Sequence, residues 1–319
     1  MSPVKDKGKN INLQMIRGVC CLFICLNHCS FFNKYSFGEV GVEFFIILSG
    51  FLTTMNASKS DHLRTNYLVS KVRRITPLYW VTTLAVFILG IALPSLFSSL
   101  DFSFNSLFYS LFLVPGHTFI LFPGWTLTYF FIFYLVYWIA DKISLKRDLT
   151  ASIIIVVFVI AGFIVRSIFD NNLFSNYANP VLLEFVYGIG LYYFVSKIEI
   201  KNKFTILGGF IMIALFFNYN KFLGPRWLVT SLLTCLAIFF LYYRNEKSTV
   251  KQLLANIGNI SFTIYILHPI IIRPIDKLLI KVTGSDTSVL YFGGIIIGLA
   301  FVISICSVVQ KFLQRIRMI

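Results

Sequence analysis

Long apolar stretches recur along the chain from residue 11 to residue 310, with short polar segments between them. A stretch of about 18 or more apolar residues is long enough to cross a bilayer as a helix. The pattern shows no internal repeat, and it predicts an all-α, polytopic membrane protein in which residues 1–319 form a single integral membrane domain. About ten transmembrane helices are predicted, near residues 11–31, 38–57, 76–98, 124–140, 149–169, 180–196, 204–219, 226–242, 258–278 and 288–309.

The composition separates this chain from soluble proteins. Of its 319 residues, 57% are hydrophobic and only 13% are charged, whereas soluble globular chains carry about 25% charged residues. The first apolar stretch is interrupted by Arg17, Asn27 and His28, and no small-x-small cleavage site follows it. We therefore expect a retained first helix and not a cleaved signal peptide.

The net charge of +15 first suggests a nucleic-acid partner, but the distribution of the basic residues gives another explanation. With the N-terminus inside, 20 of the 28 Lys and Arg residues fall on inner segments and six on outer segments, and Arg17 and Arg166 lie at or within spans. This asymmetry is the positive-inside pattern of membrane proteins. It predicts cytoplasmic N- and C-termini and membrane lipids as partners, and no nucleic acid is needed.

The cysteines and the two longest loops suit a packed membrane bundle. The six cysteines fall within predicted spans and form no C-x-x-C pair, so packing is expected, with no metal site and no disulfide framework. The basic inner loop near 58–75 is expected to be partly helical at the membrane surface. The outer loop near 99–123 has no Lys or Arg and many aromatic residues, which suits the outer interface.

Charged and imidazole side chains within spans are costly and mark candidate sites. Arg17 and His28 are eleven residues apart, which on a continuous helix places them on one face about 16 Å apart along the axis. Because the second span runs inward from about Gly38, Glu43 is expected at a depth similar to that of His28. Arg17 alone also fits a snorkelling residue, and His28 alone also fits an interhelical hydrogen bond.

An imidazole beside a carboxylate suits more than one chemistry. The carboxylate fixes the imidazole tautomer, which leaves the other ring nitrogen free to accept a proton from a hydroxyl group. The same pair also suits a proton relay in a transporter. The residues alone leave both alternatives open.

Several motifs then resemble those of the membrane acyltransferase-3 family. Arg17 and His28 resemble its R-x10-H pair, and the further matches follow in order along most of the chain. They are "GVEFFIILSGFL" (41–52), "RRITPLYW" (73–80), "GWTLTYFFIFYLV" (124–136), "EFVYGIGL" (184–191) and "IGNISFTIYILHP" (257–269). Each motif alone is weak, but the ordered set is specific.

The resemblance implies an enzyme that moves an acyl group, usually acetyl, from a cytoplasmic thioester to a hydroxyl group of a surface carbohydrate. The expected donor is acetyl-CoA or another acyl-CoA, with no metal. The expected acceptor is an O-antigen, capsule or exopolysaccharide, or its lipid-linked precursor, and the expected location is the bacterial inner membrane. The chain resembles the stand-alone form that lacks a C-terminal esterase-like domain, and the sequence does not specify an oligomeric state.

The resemblance also assigns expected roles to individual residues. His28 is the expected base, Glu43 orients it, and Arg17 binds the donor or stabilises its charge, with direct transfer preferred over an acyl-histidine intermediate. Arg73 and Arg74 are placed to pair with the phosphates of coenzyme A. The residues expected to line the cavity are His268, Trp125 and Tyr79.

One position of the sequence departs from the family pattern. Phe130 stands where the family commonly has a glutamate, so that this chain is expected to depend on Glu43.

A transporter or flippase of lipid-linked sugars or acyl groups is the alternative function, although such proteins often contain inverted repeats and this chain shows none. A polysaccharide polymerase would leave the acyltransferase motifs unexplained. A bond from His268 to Tyr265 or to a nearby carbonyl group is the structural alternative for that histidine.

Overall fold

The structure is a computed structural model that describes residues 10–33, 35, 37–63, 65–92, 101–169, 173–198, 204–218, 226–243 and 248–315. Within these ranges all regular structure is helical, as predicted. The helices are α1 (Ile11–Leu26), α2 (Phe37–Ala57), α3 (Tyr67–Ala92), α4 (Phe104–Leu111), α5 (Gly124–Ile143), α6 (Arg147–Ile168), α7 (Leu173–Tyr177), α8 (Leu182–Lys197), α9 (Thr205–Asn218), α10 (Arg226–Tyr242), α11 (Thr249–Asn259), α12 (Ser261–Thr283) and α13 (Val289–Arg315).

Each predicted span overlaps one of these helices, but not all of them are long enough to cross a bilayer by length and composition. Among the described residues six segments pass that test, namely α2, α3, α5, α6, α13 and Leu173–Lys197. A seventh is obtained if α11 and α12, which meet at a bend of 77°, are counted as one span. The protein is thus a multi-pass membrane protein, and ten spans with cytoplasmic termini remain a prediction.

Two helix ends, the start of α3 and the end of α1, differ from the ends of the predicted spans. α3 begins at Tyr67 and not near residue 76, because a helix can continue through Lys71, Arg73 and Arg74 beyond the apolar layer. The partly helical inner loop is therefore confirmed. α1 ends at Leu26, five residues before the predicted end, and turns follow.

Some predicted features lie outside the described residues. They include the ends of two predicted spans, at 93–98 and 219, and part of the basic set: Lys5, Lys7, Lys9, Lys34, Arg64, Lys201, Lys203, Lys221, Arg244, Lys247 and Arg317.

The chain divides into two compact units. The first comprises Met1–Met55 and Glu184–Lys311, and the second comprises Asn56–Leu183 and Phe312–Ile319. In the first unit, α1 and α11 pack backbone to backbone, because a Cβ atom on Gly18 would overlap the Leu254 carbonyl oxygen. α2 and α8 approach equally closely at Gly50 and Gly188, as small residues allow at helix interfaces in membranes.

Cysteines fill the core of the first unit where α1 meets α12 and α13. Cys21, Cys25 and Cys29 recur at every fourth position and pack in one apolar cluster with Cys306 and Tyr291. All six cysteines are free thiols, and these four are buried. The predicted packing role of the cysteines is confirmed for this cluster.

The second unit is organised by α3, α5 and α6. The Tyr79 hydroxyl on α3 donates to the Ser110 carbonyl oxygen at 2.9 Å and lies against Gly124, where a Cβ atom would overlap it. α5 and α6 are joined by the short turn at 144–146, across which Arg147 pairs with Asp141 at 2.7 Å.

Candidate active site

His28 lies on a turn and not on the face of α1. The helix ends at Leu26, and His28 and Cys29 then donate their backbone N–H groups to the carbonyl oxygens of Cys25 and Leu26, at 3.1 and 2.9 Å. The prediction that Arg17 and His28 share one helix face assumed that the helix continues. The direction of the His28 ring is set by this turn instead.

A second imidazole lies beside His28. The ring centroids of His28 and His268 are 4.8 Å apart, and the ring planes meet at 49°. His268 is on α12 with 1% of its surface exposed. The structure therefore brings together the predicted base and the histidine of the closing motif, which are 240 residues apart in the sequence.

Pro269 explains how His268 is held. Proline has no backbone N–H, so in a helix the carbonyl group four residues earlier loses its usual donor. For Pro269 that carbonyl belongs to Tyr265, and Nδ1 of His268 lies 2.9 Å from its oxygen and 3.1 Å from the Ile264 oxygen. The structural alternative considered for His268, a bond to Tyr265, is thus present together with the contact to His28.

Arg273 contacts the other imidazole. Its Nε donates to Nδ1 of His28 at 3.3 Å. Arg273 is one of the six basic residues predicted on outer segments. Its position within the predicted span 258–278, five residues after His268, was a signal for a functional role.

Asp276 stabilises the turn that contains His28. Its carboxylate accepts from the backbone N–H of Ser30 at 3.0 Å, from the Ser30 hydroxyl at 2.7 Å and from the Tyr291 hydroxyl at 2.5 Å. These bonds tie the turn to α12 and α13. Asp276 was not among the predicted site residues, although a carboxylate inside a predicted span was again the available signal.

The pairing of α1 with α2 places Glu43 away from the level of His28. The helices are antiparallel: Gly38 lies against Asn27, Gly41 against Ile24, and the Arg17 guanidinium lies 5.9 Å from the centroid of the Phe45 ring. Glu43, between Gly41 and Phe45, therefore lies alongside the middle of α1. His28 follows Asn27, so it is five or more residues, at least about 7 Å, further along the axis. This differs from the matching depth that was expected.

Glu43 is buried among groups of α8 and α10. It has 2% of its surface exposed, and its Oε1 accepts from the Thr234 hydroxyl at 3.4 Å. The Glu184 carboxyl group is also buried and lies close enough to interact electrostatically with Glu43. Two buried carboxyl groups thus form a second polar cluster in the first unit.

The other predicted site residues belong to the second unit. Arg73 and Arg74 are exposed on α3, and the ammonium group of the neighbouring Lys71 lies 4.4 Å from the centroid of the Tyr134 ring. Tyr79 is buried and bonded to Ser110, which gives it a structural role in this unit.

Trp125 and Phe130 are both on α5 of the second unit. Trp125 is half-buried, with its ring 6.2 Å from that of Tyr129. Phe130, at the position where the family commonly has glutamate, is half-buried with its ring 6.3 Å from that of Tyr134. An aromatic contact thus occupies the place where a carboxylate was expected from the family pattern.

Comparison with known proteins identifies the family of the chain. The family model of the acyltransferase domain Acyl_transf_3 matches residues 10–309. The chain is 28% identical over 266 residues to the exopolysaccharide production protein ExoZ of Rhizobium meliloti (strain 1021), which covers 77% of this chain and 80% of ExoZ. No solved structure matches the chain. The predicted enzyme class, an acyltransferase of the O-acetyltransferase type, is confirmed, and the chain belongs to the Acyl_transf_3 family of acyltransferase domains.

Proposed function

We propose that the protein transfers an acetyl group from acetyl-CoA on the cytoplasmic side to a hydroxyl group of an exopolysaccharide or of its lipid-linked precursor. The observation that carries this proposal is the contact of two imidazoles, His28 and His268, in a chain of the acyltransferase family. The similarity to ExoZ, which is described as an exopolysaccharide production protein, favours this class of acceptor.

Ester formation needs a group that removes the proton of the acceptor hydroxyl, and imidazole suits this step near neutral pH. His28 and His268 provide two such rings in contact. Arg17 acts on the donor side, where its cation stabilises negative charge. Glu43 lies alongside α1 between the levels of Arg17 and His28, and in this proposal it orders the polar groups along the donor's path and does not orient His28 directly.

The donor nucleotide is recognised by Arg73 and Arg74. Coenzyme A carries phosphate groups, and guanidinium groups bind phosphate oxygens in a two-pronged geometry that lysine lacks. Both arginines are exposed at the end of α3 that precedes its apolar part, so they are accessible to a charged nucleotide. Trp125 and Tyr79 belong to the same unit as these arginines, and in this proposal they line the cavity there.

The whole chain acts as one catalytic domain in the bacterial inner membrane. The family match runs through both compact units. The excess of basic residues on the predicted inner segments supports cytoplasmic termini and a cytoplasmic donor site. Membrane lipids and the glycan are the partners of the protein in this proposal.

The direct test compares a host strain with the gene, without it, and with the His28→Ala variant. We expect O-acetyl signals in the NMR spectrum of the isolated exopolysaccharide with the wild-type gene, and none without the gene or with His28→Ala. A His117→Ala variant is the matched control and should keep these signals, because His117 lies on the predicted outer loop and stacks on Tyr109. Equal acetyl content with and without the gene contradicts the proposal, and transport of a glycan without any new ester supports the transporter alternative.

A further inference from the structure

The surroundings of His268 determine which of its nitrogens carries the proton. Nδ1 faces two carbonyl oxygens, of Ile264 and Tyr265, and carbonyl oxygens can only accept hydrogen bonds. Nδ1 therefore carries the hydrogen. Nε2 is buried and has no hydrogen-bond partner among the described residues. A charged ring would place an unpaired N–H there at a high cost, so the ring is neutral and Nε2 has an open lone pair.

The surroundings of His28 determine the opposite tautomer. The guanidinium group of Arg273 can only donate, and its Nε points to Nδ1 of His28 at 3.3 Å. Nδ1 of His28 is therefore the acceptor with the lone pair, and the hydrogen of the neutral ring is on Nε2. The two neighbouring imidazoles thus differ in tautomer: Nε2 of His268 is a proton acceptor, and Nε2 of His28 carries the hydrogen.

We infer that His268, and not His28, is the general base, and that the Nε2–H of His28 donates to the carbonyl oxygen of the thioester. This assignment rests on the proposed acyltransferase function and divides its chemistry between the two rings. The centroid separation of 4.8 Å allows one reacting centre to contact both rings. A positioned donor at the developing oxyanion and a positioned base are the two groups that acyl transfer requires.

The steps balance in atoms and charge. Nε2 of His268 takes the proton of the acceptor hydroxyl while the hydroxyl oxygen forms a bond to the thioester carbon. His28 stabilises the negative charge on the carbonyl oxygen. The carbon–sulfur bond then breaks, and the thiolate of coenzyme A takes the proton from His268. The products are the ester and free coenzyme A, and both imidazoles return to their neutral forms.

Matched substitutions separate the two roles. His268→Asn keeps an N–H that can donate to the Tyr265 carbonyl but removes the base. We expect kcat to fall by about 10²- to 10⁴-fold, with partial recovery when imidazole is added to the assay. His28→Gln keeps an N–H donor near the position of Nε2, and we expect it to stay within about tenfold of wild type, whereas His28→Ala falls by about 10²-fold or more.

A double variant controls for folding. In Pro269→Ala the new backbone N–H can satisfy the Tyr265 carbonyl, so that His268→Ala/Pro269→Ala no longer depends on the imidazole for this bond. The double variant is expected to fold and to be inactive, while Pro269→Ala alone keeps its activity within about tenfold. Assays use the full-length protein in lipid nanodiscs with acetyl-CoA and polysaccharide, and they follow ester formation.

The outcomes separate this inference from the proposed function. If the wild-type protein forms no ester, the proposed function fails. If the wild-type protein forms the ester and His268→Asn keeps its kcat within tenfold, the function stands and the assignment of His268 as base is overturned. The assignment of His28 as a donor is overturned if His28→Gln is as inactive as His28→Ala.

Discussion

Two buried polar clusters in this protein differ in the kind of group that is left without a hydrogen-bond partner. In the second unit, the Asp141 carboxylate accepts from Arg147 at 2.7 Å and from the Leu63 N–H at 3.0 Å, and Arg147 also donates to the Ala57 carbonyl at 2.7 Å. In the first unit, His268 uses Nδ1 in this way, but its buried Nε2 has no hydrogen-bond partner among the described residues.

The difference indicates different uses. An unpaired buried polar atom costs about 1–3 kcal/mol, so a lone pair left open in a folded protein favours a ligand that fills it in another state. The Asp141 cluster connects three segments, and the atom that it leaves without a hydrogen-bond partner among the described residues is Nε of Arg147, an N–H donor that has no lone pair to offer. The bonds between segments therefore suggest a scaffold at Asp141, and the open lone pair suggests a reactive position at His268. Substitutions at the two clusters should affect different quantities.

The largest effect on stability is expected for Arg147→Met. It leaves the buried Asp141 carboxylate without its cation, which costs about 3–5 kcal/mol. The thermal unfolding temperature of the purified protein should fall strongly, and the double variant Arg147→Met/Asp141→Leu should be less destabilised than the single one. Activity per folded molecule should stay near that of wild type, and a selective loss of kcat would show that this cluster is not merely a scaffold.

Asp276→Asn should affect both stability and activity. The carboxylate accepts from two groups of Ser30 and from Tyr291, and hydrogen bonds to charged groups contribute about 1.5–3 kcal/mol each. We expect a loss of about 2–3 kcal/mol in stability and a fall in kcat of about 10- to 100-fold, because the turn that carries His28 loosens.

The control for Asp276 is Tyr291→Phe, which removes one donor and leaves the two bonds to Ser30. It should lower the unfolding temperature with little change in kcat. If kcat falls equally in Tyr291→Phe and in Asp276→Asn, the bonds from Ser30 have no special role in positioning His28.

Arg273 should affect kcat with a smaller effect on stability, because its side chain is exposed. Arg273→Leu removes the donor that fixes the His28 tautomer, and we expect about a tenfold fall in kcat with KM unchanged. Arg273→Gln can still donate to Nδ1 and should recover part of the activity. A change in KM alone would instead place Arg273 in substrate binding.

The hydropathy pattern was sufficient to locate the long apolar helices, because burial in lipid depends on each residue's own polarity, but it did not predict the short helices α4 and α7. It placed the start of the third span near residue 76, where the apolar residues begin. α3 itself begins earlier, at Tyr67, and hydropathy does not detect its polar first part. The end of α1 at Leu26 was missed for a related reason, because the turn there is held by Asp276. Ser30 and Asp276 are 246 residues apart in the sequence, and a contact between such distant residues gives no periodic pattern in one sequence.

The candidate site was predicted only in part, because its contacts also join residues that are distant in the sequence. Polar residues within spans identified His28 and His268 separately, but the contact between them depends on how α1 and α12 pack. The level of Glu43 depended on the pairing of α1 with α2, and the loop between them does not fix that pairing. Arg273 and Asp276 were visible as charges in a predicted span, and only the structure shows that they act on His28 and its turn.

The smallest effect is expected at an exposed polar cluster formed by Asp101, Ser103 and Ser106. Water can also form hydrogen bonds with these groups, unlike with those of the two buried clusters. Hydrogen bonds from Ser106 and Ser103, at the start of α4, hold the pKa of the Asp101 carboxyl group below its usual value. A lowered pKa in the folded state stabilises the protein above the unfolded value of about 3.9, and this contribution is lost as the pH falls through the lowered pKa.

Near neutral pH, Ser103→Ala should therefore cost about 1 kcal/mol or less, as expected for the loss of one N-cap side chain, and the acetyl content of the polysaccharide should not change. The difference between the Ser103→Ala and wild-type unfolding temperatures should become smaller below about pH 4, where protonation of Asp101 weakens its bond from Ser103, while the N-cap bond from the Ser106 N–H remains. An effect as large as that of Arg147→Met would mean that pairing matters as much at an exposed cluster as at a buried one. The contrast between Asp141 and His268 would then not depend on their burial.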